Sequence, residues 1–413
     1  MIQRPLIILT VLIALAPHTF AQEQSVKNSK PLLTAIRAAR LLDVKTGVLI
    51  NNAVVLVDGE RISAVGSGLS IPAGARVIDL GDVTLLPGLI DSHSHLLASS
   101  VSEYGTMLLT KSQAYRALEG ASNARRTLIA GYTAVRDVES EGAGYADVAL
   151  RDAINRGLIE GPRMKVATRG IAVIGQMQPL GISPDLPDFP RGAQMISGVE
   201  EARRAVREQI GYGADLIKIF ADWTYPTLTV EEMSVIVEEA HKAGRRVAAH
   251  ADTTQGIRNA ITAGVDSIEH GFRVDRATLE LMKQKGVSWV PTYGRRLESF
   301  AKLTDDEIRP RATARMQELK KMLQTASELG VKIATGWDPG DEKDQGTNAG
   351  EIALLTTAGI TNLEAIRAAT ITGAELLDWQ DRIGSLETGK FADIIAVRGN
   401  PLSTSSSWNM WCL

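Results

Sequence analysis

The regular alternation of short apolar segments with longer amphipathic segments constrains most strongly what this chain can fold into. From Val83 onwards, eight apolar segments predict β-strands: Thr84–Asp91, Thr133–Val138, Met164–Thr168, Leu216–Ala221, Arg246–His250, Ser267–His270, Ser288–Pro291 and Val331–Thr335. Amphipathic segments between most of them predict helices, including Val199–Ile210, Val230–Ala243, Thr254–Ala263 and Asp305–Leu329. Eight strand–helix units over roughly 250 residues predict an α/β fold of the (β/α)8 TIM-barrel type. A doubly wound open sheet is the alternative, but no glycine-rich dinucleotide fingerprint follows the first strand.

Both ends of the chain have a different pattern, which predicts a small β domain. Three strands, Ala35–Leu42, Ala53–Val57 and Ile62–Val65, precede the barrel, and the last two are separated by the hairpin-like Asp58-Gly59 turn. After the barrel, Thr361–Leu377 predicts one helix and residues 389–397 return to a strand pattern. We therefore predict a barrel over residues 83–380 and a small β-sandwich assembled from residues 22–82 and 381–413.

The N-terminal segment predicts export. Arg4 precedes the apolar stretch Leu6–Ala16, and small residues precede Gln22, so residues 1–21 have the pattern of a secretory signal peptide. The expected location is periplasmic or secreted, with an uncleaved membrane anchor as the alternative; no later segment predicts stable membrane insertion. The formal net charge of −3, without a basic patch, argues against nucleic-acid binding. Cys412 is the single cysteine, so no intramolecular disulfide is expected.

The positions of the histidines predict a metal site. Five of the six histidines follow the predicted signal peptide, and His93, His95, His250 and His270 lie at the ends of predicted strands. Side chains alternate along a strand, so His93 and His95 point the same way, and barrel enzymes carry their chemistry at the carboxyl ends of the strands. His241 lies within a predicted helix and is interpreted as a surface residue.

Lys218 and Asp338 extend this candidate site. Lys218 lies inside the apolar strand Leu216–Ala221, where burial favours the neutral amine, which can react with carbon dioxide to form a carbamate. A lysine that reaches solvent or pairs with a carboxylate is the alternative. Asp338 follows the eighth predicted strand, where a carboxylate could bind a metal and accept a proton, although a turn residue would fit the same glycine-rich segment.

These residues resemble the amidohydrolase superfamily, specifically the imidazolonepropionase-related branch with metal-dependent Xaa-Pro and Xaa-Arg/Lys dipeptidases and ochratoxin-hydrolysing amidases. The resemblance covers roughly Leu32 to Pro401. The segments that carry it are Leu86–His95, Gly131–Asp137, Ile217–Ile219, Ala248–His250, Ser267–Gly271 and Gly389–Asp393.

The resemblance implies a binuclear site with two divalent ions, usually zinc. His93, His95 and Asp338 would bind one ion, His250 and His270 the other, and a carbamate on Lys218 would bridge the two. A hydroxide between the ions would attack an amide carbonyl, and Asp338 would pass the proton to the leaving amine. The implied substrates are dipeptides or N-acyl amino acids, including Xaa-Pro dipeptides and ochratoxin-type amides, and relatives are often homo-oligomers.

Two segments depart from the family pattern. Gly175–Pro179 stands where the family has a loop with His or Tyr that holds the substrate carbonyl, so that assistance is in doubt. The tail Ser403–Leu413 replaces an expected further strand, which predicts a truncated or frame-shifted end and an exposed sheet edge.

The sequence is compatible with several substrate-binding residues and with more than one reaction. Candidates for binding a substrate carboxylate, all on or near segments at the barrel mouth, are Tyr225, Arg136, Tyr293, Arg295 and Arg296. Alternative activities are a deaminase, a cyclic-amide hydrolase of the imidazolonepropionase type, or a lactonase; Lys218 argues against the mononuclear deaminases, which generally lack that lysine. A binding protein that has lost catalysis is the non-enzymatic alternative.

Overall fold

The computed structural model describes residues 33–98, 100, 103–176, 185, 189–223, 226–301 and 308–403. Three predictions concern residues outside these ranges: the signal peptide, the candidate Tyr225 and the tail beyond Ser403. In the described ranges, no helix combines the length and the apolar character that a membrane crossing requires.

Six strands form one sheet that joins both ends of the chain. They are β1 (Thr34–Asp43), β2 (Val48–Asp58), β3 (Arg61–Ser67), β4 (Arg76–Asp79), β5 (Val83–Pro87) and, from the far end of the sequence, β15 (Ile394–Arg398). The order is β15-β5-β1-β2-β3, with β4 beside β1. Strand β15 pairs antiparallel with β5, so that Ile395 lies opposite Leu86. The C-terminal strand therefore lies in the same sheet as β1, β2 and β3, although its direct partner is β5, whose residues the prediction assigned to the barrel. A second sheet that would make a sandwich stays a prediction.

Nine strands follow in two parallel sheets. They are β6 (Leu89–Ser94), β7 (Tyr132–Asp137), β8 (Arg163–Val166), β9 (Ile171–Val173), β10 (Gln194–Ile196), β11 (Leu216–Phe220), β12 (Arg246–Ala251), β13 (Ser267–His270) and β14 (Ser288–Val290). One sheet has the order β6-β7-β8 and the other β10-β9-β11-β12-β13-β14. The backbone N–H of Asp215, just before β11, donates to Val166 of β8 at 2.8 Å, which links the two sheets. Only Gly88 separates β5 from β6, so the small sheet runs directly into the barrel strands.

The helices pack outside these strands. They are α1 (Tyr104–Thr110), α2 (Gln113–Ile129), α3 (Ala146–Asn155), α4 (Val199–Gly211), α5 (Val230–Lys242), α6 (Thr254–Ala263), α7 (Arg276–Lys285), α8 (Tyr293–Ala301), α9 (Ile308–Leu329), α10 (Gly350–Thr357), α11 (Asn362–Ala368) and α12 (Ile371–Leu376). The largest core cluster joins several of the helices to the strands and includes Ile236 of α5 and Ile219 of β11. A separate cluster holds Ala124 of α2 and Leu150 of α3 against Val135 of β7. Sequence-coded caps fix where they begin: the Thr229 hydroxyl accepts from the backbone N–H of Glu232, and the Glu232 carboxylate accepts from that of Thr229.

The structure differs from the sequence prediction at several places. The segment Thr84–Asp91, predicted as the first barrel strand, is divided at Gly88, so that β5 belongs to the small sheet and only β6 joins the parallel strands. Strand β4 was not predicted. The predicted eighth strand, Val331–Thr335, makes only an isolated bridge between Ile333 and Trp289, although backbone hydrogen bonds join it to both β6 and β14. Strands β9 and β10 were missed because each has three residues, too few for a periodic pattern. The predicted helix Thr361–Leu377 is divided into α11 and α12, because the carbonyl of Ala369 accepts from Ile90 of β6 at 2.8 Å instead of continuing the helix.

Candidate metal centre

His93 and His95 converge at the end of β6, and their hydrogen bonds fix which nitrogens face each other. The Nδ1 of His93 lies 2.7 Å from Glu269 Oε2, and the Nδ1 of His95 lies 3.1 Å from the carbonyl of Glu139. Both partners are acceptors, so each imidazole carries its proton on Nδ1. The two Nε2 atoms, 3.2 Å apart, then direct lone pairs at one another. A divalent cation would turn this repulsion into coordination, so the arrangement fits a metal site.

Asp338 completes a triad with these imidazoles. Its Oδ1 lies 3.4 Å from His95 Nε2 and 3.8 Å from His93 Nε2. The three residues can place one ligand atom each within 4.8 Å of the others. The backbone of Asp338 has a φ of 53°, and its N–H donates to the carbonyl of His93 at 2.8 Å. A left-handed conformation is costly for a residue with a Cβ, and such strain is concentrated at functional sites.

His250 and His270 lie beside this triad. The ring centroids of His270 and His93 are 4.8 Å apart, and those of His250 and His270 are 4.5 Å apart. His270 also has a positive φ, of 69°, and its Nδ1 lies 2.7 Å from Thr292 Oγ1. The Nε2 of His250 is buried and has no hydrogen-bond partner among the described residues. A buried imidazole nitrogen without a partner is expected where a metal ligand is needed.

Burial keeps His93, His250 and His270 neutral, which is the form that binds metal. Burial, and then the positive charge of Lys218, lowers the pKa of His93 to about 4. Burial also holds the pKa values of His250 and His270 well below their usual range. For Asp338, burial acts to raise the pKa, but electrostatic interactions with His93, His95, Arg295 and Lys218 more than offset it, so its pKa is lowered. The site therefore combines neutral nitrogen donors with an ionised carboxylate at neutral pH.

Lys218 lies on β11, and its side chain is buried. The residue is 2% exposed. Burial lowers the pKa of its amine, and the negative charges of Glu269 and Glu139 oppose this shift only in part. The sequence prediction that burial favours the neutral amine at this position agrees with this environment.

Glu269 is a functional candidate that sequence reasoning missed. Its side chain is fully buried, and its Oε2 accepts from His93 while its Oε1 accepts from Arg136 Nη2 at 2.7 Å and from Ser267 Oγ at 2.5 Å. Burial acts to raise the pKa of this carboxyl, but the charge of Arg136 and the bond to His93 lower it, so that it stays ionised. An acidic residue directly before the candidate ligand His270, in the predicted strand Ser267–His270, was the signal that could have identified it.

The residues predicted to bind substrate lie in different environments. Arg136 is 2% exposed, and its guanidinium donates to Glu269, Ser267 and the carbonyl of Ser92. This placement favours a role in supporting the metal ligands over the predicted contact with substrate. Tyr293 begins α8 and is also buried, and its backbone N–H donates a hydrogen bond to Glu351 Oε1 at 2.8 Å.

Asp91 connects two of the segments that carry ligands. Its Oδ1 accepts from the backbone N–H of His93 at 3.1 Å and of Trp337 at 3.0 Å. Burial raises the pKa of this carboxyl to about 6. Through Asp91, the end of β6 and the segment before Asp338 keep a fixed separation.

The fold and this arrangement of ligands define the class of protein. Residues 84–410 match the model of the amidohydrolase family, and the chain belongs to that family. It is a hydrolase that acts on carbon–nitrogen bonds, and its relatives imply a TIM-barrel fold.

Several proteins are similar to this chain over most of its length. An ochratoxinase from Aspergillus niger is 34% identical over 405 residues, which cover 88% of this chain and 81% of that protein. The structure of a Xaa-Pro dipeptidase with methionine bound in its active site has a TM-score of 0.82 and 34% identity, and the match covers 91% of this chain and 96% of the other. A prolidase complexed with N-methylphosphonate-L-proline has a TM-score of 0.80 and 31% identity, with 91% and 95% covered.

Proposed function

We propose that this enzyme hydrolyses the amide bond of dipeptides or N-acyl amino acids that carry a free α-carboxylate. Xaa-Pro dipeptides are the first substrate class to consider, and ochratoxin-type amides the second. The observation that carries this proposal is the convergence of the His93–His95–Asp338 triad with two further buried imidazoles. The similarity to a Xaa-Pro dipeptidase, a prolidase and an ochratoxinase supports the choice of substrates.

The same proposal assigns the ligands of two zinc ions. His93, His95 and Asp338 would hold one ion, His250 and His270 the other, and a carbamate on Lys218 would bridge them. The unpartnered Nε2 of His250 and the opposed lone pairs of His93 and His95 support this donor set. When bound, the ions would supply Lewis-acid polarisation of the amide carbonyl and activation of water near neutral pH.

Asp338 is the proposed proton carrier. Its carboxylate is ionised because electrostatic interactions with the surrounding imidazoles and with the cations Arg295 and Lys218 offset the effect of burial, so it can accept a proton from the attacking water. Its side chain is 18% exposed, which leaves it in reach of a substrate in the mouth. Transfer of that proton to the leaving nitrogen releases a neutral amine.

Cations near the ligands offer a site for the substrate carboxylate. Arg295 and Arg296 lie in the first turn of α8, and their charges lower the pKa values of Asp338 and His250 respectively, after the larger effects of burial and of nearer charges. Arg296 also pairs with Asp252, whereas Arg295 makes a longer contact of 3.4 Å with Glu298. We therefore assign carboxylate recognition to Arg295 first.

Amine release from a panel of dipeptides and N-acyl amino acids would test the proposal, with the protein reconstituted in zinc and bicarbonate. We expect hydrolysis of a subset defined by the C-terminal residue, and loss of turnover in Asp338→Asn with its fold intact by circular dichroism. A zinc-loaded enzyme that hydrolyses no member of the panel would contradict the peptidase assignment. Turnover of lactones or cyclic amides would then identify the alternative activity.

A further inference from the structure

An exposed indole stands at the mouth of the barrel, next to a candidate metal ligand. Trp223 follows β11, the strand that carries Lys218, and half of its surface, 50%, is exposed. Aromatic residues make up only 5% of the sequence. Large apolar side chains exposed beside a polar site commonly contact a ligand.

The geometry shows which face of the indole is available. The rings of Trp223 and His250 are stacked, with centroids 4.6 Å apart and planes inclined by 13°. The ring of Phe220 lies 5.9 Å from the indole and 5.4 Å from the imidazole, on the inner side. His250 therefore covers one face of the indole, and the exposed half is the surface that a molecule approaching His250 would meet.

A neighbouring segment adds a second exposed apolar side chain. Strand β9 pairs with β11 through Ile171 and Ile219, so the segments that follow these strands emerge side by side. Ile174, just after β9, is 61% exposed. The hydroxyl of Thr227 donates to Gln176 Oε1 at 3.0 Å, which ties the two segments together.

The side-chain amide nitrogen of Gln176 has no hydrogen-bond partner among the described residues. Gln176 is 8% exposed, and its Nε2 is buried but donates to no acceptor in those residues. Leaving a buried donor unpaired costs free energy, and such groups are commonly satisfied by a ligand or water. A donor beside an apolar surface is the usual composition of a small-molecule subsite.

We propose that Trp223, together with Ile174 on the adjacent segment, forms an apolar subsite that binds a ring of the substrate, either an aromatic ring or the pyrrolidine ring of proline. This subsite rests on the proposed amide hydrolysis and defines its side-chain specificity. The ring would lie on the exposed face of the indole, where offset stacking or C–H contacts to the π-surface add to the burial of apolar area. Substrates with glycine at the same position would gain nothing from it.

The test compares two substrates that differ only in the ring: a phenylalanine-containing and a glycine-containing member of the same dipeptide or N-acyl series. We expect Trp223→Ala to lower kcat/KM for the phenylalanine member about tenfold or more relative to the glycine member, from the apolar area left uncovered. Trp223→Phe, which keeps a ring, should fall between. Zinc content is measured in each variant, because the indole also covers His250.

Tyr212 provides a matched control. It is 59% exposed and stacks on Tyr145 with centroids 4.4 Å apart, but it follows α4 and precedes β11, so it lies at the opposite end of the barrel. Tyr212→Ala should leave the ratio between the two substrates unchanged. Equal losses for both substrates in Trp223→Ala, with zinc retained, would overturn the subsite.

A binding measurement separates failure of the subsite from failure of the proposed function. N-acetyl-phenylalanine and N-acetyl-glycine are titrated into the zinc-loaded protein by calorimetry, without any requirement for turnover. Tighter binding of the phenylalanine compound that is lost in Trp223→Ala supports the subsite even if no amide is hydrolysed. Equal affinities of the two compounds for the wild-type protein would refute it.

Discussion

Replacing Glu269 by Gln tests whether a buried charge, rather than the shape of the side chain, holds the metal ligands in place. In the native protein the carboxylate accepts from His93 and from Arg136, whose side chains are 1% and 3% exposed. Gln has nearly the same shape but no charge. The substitution therefore leaves the guanidinium of Arg136 buried without a counter-ion.

The magnitude follows from that burial. Removing one partner of a buried ion pair lowers the free energy of unfolding by about 3–5 kcal/mol, because the remaining charge is not compensated. Loss of the carboxylate behind a ligating histidine lowers metal affinity about 10- to 100-fold. We expect both effects: a lower urea midpoint for the metal-free protein and weaker zinc binding in a competition titration.

A comparison with Glu239 isolates the effect of position. Glu239 also pairs with two arginines, Arg203 and Arg207, and is itself buried, but those arginine side chains are 27% and 60% exposed. Glu239→Gln should therefore cost less stability than Glu269→Gln, because both arginines can still reach water, and it should leave zinc affinity unchanged. The double variant Glu269→Gln/Arg136→Met should recover stability relative to the single one, because no unpaired charge remains. A Glu269→Gln protein that unfolds at the wild-type urea concentration and binds zinc as tightly as wild type would refute the reasoning.

Three further predictions concern the packing, the protonation and the metal. A Cβ on Gly336 would lie 2.5 Å from the Cβ of His93. The Gly336→Ala variant should therefore lose about 1–3 kcal/mol of stability in urea denaturation and bind zinc more weakly. The Gly211→Ala variant, whose new Cβ would meet open space, should show neither effect. Burial raises the pKa of Glu351 to about 8 from 4.5, so the folded protein holds a proton that the unfolded chain releases. Its stability should fall as pH rises from 4.5 to 8, and this slope should become shallower in Glu351→Gln, most clearly above the pKa of about 6 of Asp91. The Lys218→Met variant should bind less zinc per chain, as measured by elemental analysis. An unchanged content of two ions would contradict the bridging role of Lys218.

The sequence predicted the candidate ligands because their positions depend on local pattern. His93, His250 and His270 end apolar segments, and parallel strands bring such ends together at one mouth. The Glu269–Arg136 pair could not be predicted in this way, since its members lie on β13 and β7 and the contact depends on how the sheets curve toward each other.

The elements that were wrong in the prediction share a physical cause. The segment Val331–Thr335 has a strand pattern, but its backbone bonds are divided between two strands and form no ladder. The break at Ala369 arises from the competing donor of Ile90, more than two hundred residues earlier in the sequence. In both places a contact distant in sequence overrides the local preference for regular structure.

The continuity of β5 with β6 gives the order of synthesis a role in building the site. His93 lies near the end of β6, which follows directly on β5, and β5 has β15 as its neighbour on one side of the small sheet. The paired residues Leu86 and Ile395 are separated by roughly three hundred residues, so this ladder is a contact of very high order and is expected to slow folding. The ribosome must synthesise residues 394–398 before β5 can gain this neighbour. We therefore expect the segment that leads to His93 to reach its final pairing only after β15 has been made.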